Sequence, residues 1–283
     1  MLDSNIKKII TSLFNLEYFF RPYINSLIAS MRDKCYLNTT KRETPIVISL
    51  SASREDFGLL PITIYSLLQQ ELKADKIILW LDNEYEDLTN IPYEITQLIK
   101  NGLEIRFVNN FNNYTNTIEP LKHFKSSINI IAEENIYYPQ TWLKNLYISY
   151  VSHPEDIHTH QANKIEQIEN KIIINEPLKS ENASFKAMFN IKSGVLYPPD
   201  CFTKEALRSD IYLKYCPHNP TLWFWAMALI HDRKIRLVKK HIKKFSIINT
   251  LENYFLKKTN SNNFDNEAKN LFVLYGNNLK KHL

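Results

Sequence analysis

Short apolar runs alternate with amphipathic stretches between residues 45 and 150. Four runs have the length and β-branched content of buried strands. These predicted strands are Ile46–Leu50, Lys76–Leu81, Leu103–Val108 and Ser127–Ile131. The intervening stretches have apolar residues at helical spacing, and they predict helices at Leu59–Leu72, Tyr93–Lys100 and Pro139–Tyr150, with another helix before the fourth strand. This alternation predicts an α/β fold, with a mostly parallel sheet and helices on both faces.

The alternation is lost beyond residue 155. Residues 161–190 are polar and irregular in pattern, with one apolar run at Ile172–Asn175. Strands are predicted at Ser193–Pro199, which ends at a proline pair, and at Lys234–Val238. Leu222–Ile230 is apolar on nearly every side, which predicts a buried helix.

Two terminal segments flank this central part. Residues 1–43 have apolar residues at helical spacing on both sides of Pro22, which predicts a helical N-terminal extension. Its helices either pack on the domain or on a second copy of the chain, giving a homo-oligomer, or form an amphipathic anchor on a membrane surface. Residues 239–283 are rich in Asn and Lys and predict a C-terminal tail with two short surface helices. The central domain is then 44–238.

Glycine and cysteine usage excludes several classes of protein. Only four of the 283 residues are glycine, and no G-x-G-x-x-G or G-x-x-x-x-G-K segment occurs, so P-loop and dinucleotide-binding fingerprints are absent. The three cysteines lie far apart without a C-x-x-C pair, which argues against a disulfide framework or a structural zinc site. The chain has neither a secretory signal nor a run of 18 apolar residues. We therefore expect a cytoplasmic protein.

Polar side chains follow the predicted parallel strands at their carboxyl ends, where ligands of such sheets bind. Ser51 and Arg54 follow the first strand, Asp82 ends the second, and Tyr114 ends the loop after the third. A carboxylate at Asp82 suits a ribose or a base, although it also suits a turn. Arg54 is either a partner for phosphate or a solvated side chain.

An acidic pair comes directly after the fourth strand. Glu133, Glu134 and Asn135 offer hard oxygen ligands, which suit Mg²⁺ or Mn²⁺ bridging a diphosphate. The alternative is a helix start or a turn, because acidic residues are favoured near helix N-termini in any case.

Two further features carry titratable side chains. His158 and His160 occupy alternating positions, so both face the same side of a strand; they suit either a metal pair or the polar wall of a cleft. The basic run Lys239–Lys244 has no interleaved aromatic residues, which favours a solvated edge over a nucleic-acid site. An anionic lipid or an anionic acceptor glycan is the alternative partner for this run. The net charge of +5 identifies no partner by itself.

Several segments together resemble the bacterial GT-A glycosyltransferases of the family-2-like type, which build capsule and lipopolysaccharide glycans. The likeness covers roughly residues 45–238. The matching segments are Ile46–Ser51, Ser66–Gln70, Asp75–Leu81, Gly102–Phe107, Tyr138–Leu143, Ile157–His160, Gly194–Pro199, Cys216–Pro217 and Leu222–Ala228. The most specific are Gly-Val-Leu-Tyr-Pro-Pro and Trp-Phe-Trp-Ala-Met-Ala.

The resemblance implies a GT-A-like fold and a nucleotide-sugar donor. Ser51 and Asp82 would contact the base and the ribose, and the acidic triplet at Glu133–Asn135 would hold a divalent cation on the diphosphate. A later acidic residue would deprotonate the acceptor. The implied reaction transfers a sugar to a growing bacterial surface polysaccharide, lipopolysaccharide or lipid-linked acceptor. The implied location is cytoplasmic, with peripheral contact at the inner face of the plasma membrane.

The sequence departs from this family where the catalytic acids are expected. The triplet keeps two acids and has an amide third, and Cys216–Thr221 has no carboxylate. Candidates for the missing base are His218, Asp200, His158 and His160, because a histidine titrates near pH 6.5. Three interpretations remain: an active transferase with weakened metal dependence, transfer from a nucleoside monophosphate sugar, and a catalytically degenerate scaffold that binds a nucleotide, a glycan or a partner.

Overall fold

The computed structural model describes residues 28–29, 31, 34–85, 88–109, 111–168, 171–247 and 261–283. Most of the predicted N-terminal extension lies outside these residues. Its helices, the predicted membrane anchor and the predicted oligomer contact therefore stay predictions.

Twelve strands and seven helices are described. The strands are β1 (Ile46–Ser51), β2 (Lys76–Asp82), β3 (Leu103–Val108), β4 (Ile128–Ile131), β5 (Ile136–Tyr137), β6 (Ile157–Thr159), β7 (Ala162–Ile168), β8 (Lys171–Pro177), β9 (Ala187–Phe189), β10 (Val195–Tyr197), β11 (Ile235–Leu237) and β12 (Ser246–Ile247). The helices are α1 (Leu60–Leu68), α2 (Tyr93–Thr96), α3 (Thr115–His123), α4 (Trp142–Ser152), α5 (Ser209–Tyr215), α6 (Pro220–Ile230) and α7 (Ser261–Lys280). Short 3-10 turns include Arg54–Asp56, Gln97–Asn101 and Ile191–Ser193.

Seven strands form one mixed sheet in the order β11-β6-β10-β4-β1-β2-β3. Every neighbouring pair is parallel except the two that involve β10, which runs against both β4 and β6. The predicted α/β class with a mostly parallel sheet is confirmed. Because β10 runs against β4 and β6, it begins at the edge of the sheet where those two strands end.

Helices cover both faces of this sheet. Alternate side chains of a strand point to opposite faces. Ile130 of β4 therefore joins the core beneath α1 and α4, which we call the first core, whereas Ile131 joins the core beneath α3 and α6, which we call the second core. Helix α6 is buried along nearly its whole length, as its apolar sequence predicts. It lies inside the second core, where Trp223 and Trp225 are fully buried.

The region 161–190, predicted as irregular, instead forms a second sheet in the order β8-β7-β9. Strand β9 is buried throughout, whereas β7 and β8 bury few side chains. In β8, Ile172 is buried, whereas Ile173 and Ile174 are exposed. This pattern lacks the strict alternation of apolar and polar residues that predicts a strand. The many polar residues of 161–190 therefore gave no sign of the antiparallel pairing.

The C-terminal segment was predicted to form two short surface helices, and residues 248–260 of it lie outside the described residues. Helix α7 runs over 20 residues with a break in helical geometry at Tyr275, and it buries Ala268 and Leu271 against the second core. The prediction treated the Asn- and Lys-rich composition as a sign of a surface element, but one face is apolar. Neither α7 nor any other helix in the described part of the chain is long and apolar enough to cross a membrane.

Candidate functional site

The polar residues at the strand ends lie along one edge of the main sheet. Ser51 of β1 pairs with Trp80 of β2, and Ile131 of β4 pairs with Ser49 of β1. Asp82 and Glu133 are therefore both at the carboxyl edge, two strands apart. At about 4.8 Å per strand, this separation is roughly 10 Å.

Three carboxylates, Asp56, Glu133 and Glu134, lie together at this edge, and we call them the carboxylate cluster. Asn116, in the first turn of α3, donates its side-chain amide to Glu133 Oε1 at 2.9 Å. The backbone N–H of Glu133 donates to Tyr138 Oη at 2.9 Å. Glu133 is thus held from two directions and is half-buried.

Asp56 reaches the cluster from the 3-10 turn that contains Arg54. Its Oδ1 accepts the side-chain amide of Asn135 at 3.1 Å, and its Oδ2 accepts the N–H and the hydroxyl of Ser53 at 2.9 and 2.8 Å. Asn135 adopts a left-handed backbone with φ of 61°, which turns the chain sharply after the acidic pair. The turn after β1 and the turn after β4 are thereby tied together.

Burial, together with the neighbouring carboxylates, disfavours the ionisation of Glu133 and Glu134. Burial, with the Glu133 and Asp56 carboxylates nearby, raises the pKa of Glu134 to about 8. Burial also raises the pKa of Glu133, against the opposing influence of the Asn116 hydrogen bond and of Lys192. The raised pKa favours the protonated form of Glu134, and that form can donate a hydrogen bond.

The carboxylate cluster does not fit the divalent cation that the resemblance implies. Both oxygens of Asp56 and one oxygen of Glu133 already accept hydrogen bonds. Among the residues that the structure describes, no three His, Cys, Asp or Glu side chains are arranged to hold a metal ion. We therefore assign no chemical step to a metal at Glu133, Glu134 and Asn135.

The positive charge of Lys192 acts on the carboxylate cluster, where it favours the ionised forms of Glu133 and Glu134. It lies in the turn that precedes β10, at the same edge of the sheet, and its side chain is exposed. Its backbone N–H donates to Asn190 Oδ1 at 3.2 Å. The loop is fixed further by Trp142, whose indole N–H donates to the Ser193 carbonyl at 2.8 Å. Arg54 is the second exposed cation here, in the same turn as Asp56.

Tyr114, predicted to contact the nucleotide, is buried inside the second core. Its hydroxyl donates to the backbone carbonyl of Cys216, and its ring stacks on Tyr212 with centroids 4.2 Å apart. The side chain is 0% exposed. The structure therefore supports a positioning role, in which Tyr114 ties the start of α3 to the Cys216 loop, and does not support direct contact with a ligand.

Replacing Tyr114 with phenylalanine is expected to lower the free energy of unfolding by about 1–2 kcal/mol, because the buried Cys216 carbonyl loses its donor. Urea unfolding measures this change. Any thermal stabilisation by a nucleotide should keep its size in the variant. Unchanged stability, together with loss of the thermal stabilisation by a nucleotide, would instead support direct contact between Tyr114 and the nucleotide.

His218 is exposed on the loop that precedes α6. Its backbone N–H donates to Glu267 Oε1 at 2.9 Å, and the Asn219 amide donates to the other oxygen of the same carboxylate. Glu267 belongs to α7 and is only 4% exposed. Tyr114 and Asn116 then link this loop to Glu133 through the first turn of α3. His218 is thus the only one of the four predicted bases that is exposed in a loop joined to the carboxylate cluster.

His158 and His160 are both buried against α4, and the structure does not support a catalytic role for either. The side chain of His158 interacts with the Ser149 hydroxyl and the His153 carbonyl, at 2.8 and 3.0 Å. That of His160 interacts with the Trp142 carbonyl at 3.0 Å. Burial lowers their pKa values to about 3 and about 4. His158 lies in β6 and His160 directly follows it, and both side chains contact α4.

Asp200 lies at the opposite edge of the sheet. Because β10 is reversed, Tyr197 pairs with Asn129 near the start of β4, and the chain continues away from the carboxylate cluster. The N–H of Asp200 donates to the Lys125 carbonyl at 2.9 Å, before β4 begins. Asp200 is exposed there and is too remote to act as a base for chemistry at Glu133.

Four residues of this site escaped the sequence analysis: Asp56, Asn116, Lys192 and Glu267. Asp56 had a local signal, because Ser53 followed three residues later by an acid is typical of a helix start. Asn116 and Lys192 had none, since their roles depend on contacts between distant segments. Glu267 was hidden by the interpretation of the tail as surface.

Fold and site together define an α/β protein with carboxylates and cations at the ligand-binding edge of its sheet. No family model and no curated protein matches the chain. It is similar to residues 1–349 of S. aureus TarS, with a TM-score of 0.47 and 12% identity, covering 70% of this chain and 59% of that one. The chain thus spans about three fifths of the TarS fragment.

Two other solved structures are similar at the same low level. The mannosyltransferase PcManGT from Pyrobaculum calidifontis, in complex with GDP-Man and Mn²⁺, has a TM-score of 0.43 and 10% identity, over 81% of this chain and 65% of that one. The inositol-1-phosphate CTP transferase from T. maritima has a TM-score of 0.41 and 14% identity, over 82% and 98%. Similarity at this level carries no argument about activity.

Proposed function

We propose that this protein is a glycosyltransferase that moves a sugar from a nucleotide-sugar donor to a bacterial surface polysaccharide, lipopolysaccharide or lipid-linked acceptor at the cytoplasmic face of the membrane. The observation that carries this proposal is the placement of Ser51, Asp82 and Glu133 at one edge of a mostly parallel sheet. The resemblance of residues 45–238 to the family-2-like GT-A enzymes supports it.

Each group at the edge has a chemical use in this reaction. The Ser51 hydroxyl donates a hydrogen bond to the nucleoside or accepts one from it, and the Asp82 carboxylate accepts hydrogen bonds from the nucleoside hydroxyls. Arg54 and Lys192 offset the charge of the diphosphate as it leaves. His218 takes the proton of the acceptor hydroxyl, because its imidazole is exposed on a loop held by Glu267. Glu133 and the protonated Glu134 orient the sugar through hydrogen bonds.

A catalytically degenerate scaffold is the second candidate function. One specific observation favours it: both oxygens of Asp56 and Oε1 of Glu133 already accept hydrogen bonds from Ser53, Asn135 and Asn116. Such a protein would bind a nucleotide or a glycan at the same edge without turnover.

A nucleotide panel separates the two functions. UDP, GDP and CMP are added to the full chain with and without Mn²⁺, and thermal unfolding is followed. We expect one nucleotide to raise the melting temperature by several degrees at saturation, because ligand that binds only the folded state stabilises it. Binding by CMP alone would indicate a nucleoside monophosphate sugar as the donor.

Turnover of the matching nucleotide sugar then tests catalysis. Glu133→Ala should lower the rate at least tenfold, because the sugar loses an orienting group, whereas Glu181→Gln, at an exposed carboxylate, should leave it unchanged. Binding without turnover, indifferent to Glu133→Ala, would establish the scaffold. If none of the three nucleotides binds, with or without Mn²⁺, the proposed transfer is contradicted.

A further inference from the structure

A basic segment crosses the ligand-binding edge of the sheet. Residues 239–245, which we call the basic strap, follow β11 and lead into β12. Strand β12 pairs with β5 through Ser246–Tyr137 and Ile247–Ile136, directly after the acidic pair and Asn135. The strap therefore runs from the outer strand of the sheet to the side of the carboxylate cluster.

Side chains from beneath hold the backbone of the strap in place. Asn145 donates to the Lys240 carbonyl at 3.0 Å, and Gln161 donates to the Lys243 carbonyl at 2.9 Å. The N–H of Ile242 donates to Nδ1 of the buried His160 at 3.1 Å. Phe245 packs on Tyr138, with ring centroids 5.8 Å apart. These contacts give the strap a defined path.

The lysines of the strap are left facing solvent. Lys239, Lys240, Lys243 and Lys244 are all exposed. In the described part of the chain, the lysines that form ion pairs are other ones, so no carboxylate neutralises these four. Gln161 Oε1 also accepts the amide of Asn190, whose own side chain holds the backbone of Lys192. The strap and Lys192 thus form one continuous basic rim.

The position of the strap separates its ligand from the donor nucleotide. In the strand order, Ser51 and Asp82 lie on one side of β4, on β1 and β2. The strap begins at β11, on the other side of β4, and ends beside β5. A nucleotide at Ser51 and Asp82 places its diphosphate towards Glu133, and the half of the edge below the strap is left for the acceptor.

The chemistry of the strap favours a polyanionic chain over a membrane surface. Membrane-surface segments insert apolar side chains beside their basic ones. Here Phe245 is 9% exposed and Ile242 packs on the first core, so the apolar side chains point inwards. Lysine presents a mobile point charge and not a fixed two-point fork, which suits anionic groups repeated along a chain. The strap has seven residues, with a turn at 239–240, and its four lysines occur at successive points along this path.

We infer that the basic strap binds the acceptor, and that this acceptor is a glycan chain bearing phosphate or carboxylate groups. The acceptor role rests on the proposed glycosyl transfer. The binding of an anionic chain rests on the strap itself. The four lysines and Lys192 hold the anionic groups by charge, and the acceptor end then reaches the carboxylate cluster from the β11 side.

Soluble polyanions test this inference directly. Inorganic polyphosphate and alginate supply phosphate and carboxylate chains, and dextran supplies a neutral glycan. The variant carries Lys239→Ser, Lys240→Ser, Lys243→Ser and Lys244→Ser. A matched variant loses the same charge elsewhere through Lys125→Ser, Lys171→Ser, Lys186→Ser and Lys204→Ser, at lysines that are equally exposed. Dissociation constants are measured for the full chain at two salt concentrations.

We expect the strap variant to bind polyphosphate or alginate at least tenfold more weakly than the unaltered chain, with a weaker dependence on salt. The matched variant should lose less than twofold, and dextran should not bind. Equal losses in the two variants would overturn the inference. So would binding to phosphatidylglycerol vesicles without binding to either soluble polyanion, which would assign the strap to the membrane.

A nucleotide measurement separates this inference from the proposed function. The strap variant should keep the full thermal stabilisation by the nucleotide that the unaltered chain binds. Loss of that stabilisation in the strap variant alone would place the donor at the strap and overturn the inference. A chain that binds polyanions but no nucleotide would contradict the proposed transfer, and the acceptor role would fall with it.

Discussion

Replacing Gly194 with alanine should lower the free energy of unfolding by about 3 kcal/mol. Gly194 has φ of +82°, a conformation that side chains with a Cβ disfavour. An added Cβ would also lie in direct collision with the indole of Trp142, which is fully buried. Overpacking of this kind costs about 1–3 kcal/mol in a filled core, in addition to the backbone strain.

The Gly194 substitution should also disturb the site, because the same loop carries Lys192 and accepts the indole N–H at Ser193. Urea unfolding and the nucleotide panel measure the two effects on one variant. Gly276→Ala is the control: its new Cβ meets no atom within 4 Å, and it lies in helix α7. There the change should leave stability unchanged or raise it slightly. A Gly194 variant as stable as the Gly276 variant would contradict the close packing of Gly194 against the Trp142 indole.

Glu134→Gln should stabilise the protein, and increasingly so as the pH rises. The carboxyl has a pKa of about 8 in the folded protein against a reference value of 4.5. Between these values the folded state holds a proton that the unfolded chain has released, so stability falls as the pH rises across this window. Glutamine stays neutral in both states and removes the fall. The gain should be near zero at pH 4.5 and on the order of 2 kcal/mol at pH 8, less than the full shift implies because the side chain is half-buried.

Unfolding by urea at several pH values between 4.5 and 8.5 measures this gain as the difference between the variant and the unaltered chain. Glu181→Gln serves as the control, because Glu181 is exposed on a loop. Its difference should stay flat with pH. A flat difference for Glu134→Gln as well would show that the carboxylate cluster ionises normally and leaves room for a cation.

The strand ends could be placed from sequence because each parallel strand is a continuous apolar run that stops at polar residues. That pattern located Ser51, Asp82 and Glu133 at one edge without any knowledge of contacts. The same reasoning could not show that the amides of Asn116 and Asn135 would occupy the carboxylates, since these side chains arrive from other segments. Glu133 and Asn135, which were expected to be metal ligands, are therefore hydrogen-bonded to Asn116 and Asp56.

Burial by tertiary contact explains the other differences. Alternation predicted that His158 and His160 share one side of a strand, but only the position of α4 shows that both side chains are covered. Asp200 follows a strand whose direction the sequence does not reveal, because an apolar run of three residues reads the same in a parallel and a reversed strand. Tyr114 follows a strand end, as expected, yet its ring turns into the core.

The contact between Glu267 and the His218 loop means that helix α7, at the C-terminal end of the described residues, helps to position a loop that is joined to the carboxylate cluster. A shortened chain that stopped before Ser261 would retain every strand of the main sheet. It would nevertheless leave the N–H of His218 and the amide of Asn219 without their acceptor. Trimming from the C-terminus is therefore not a neutral way to obtain a smaller version of this protein.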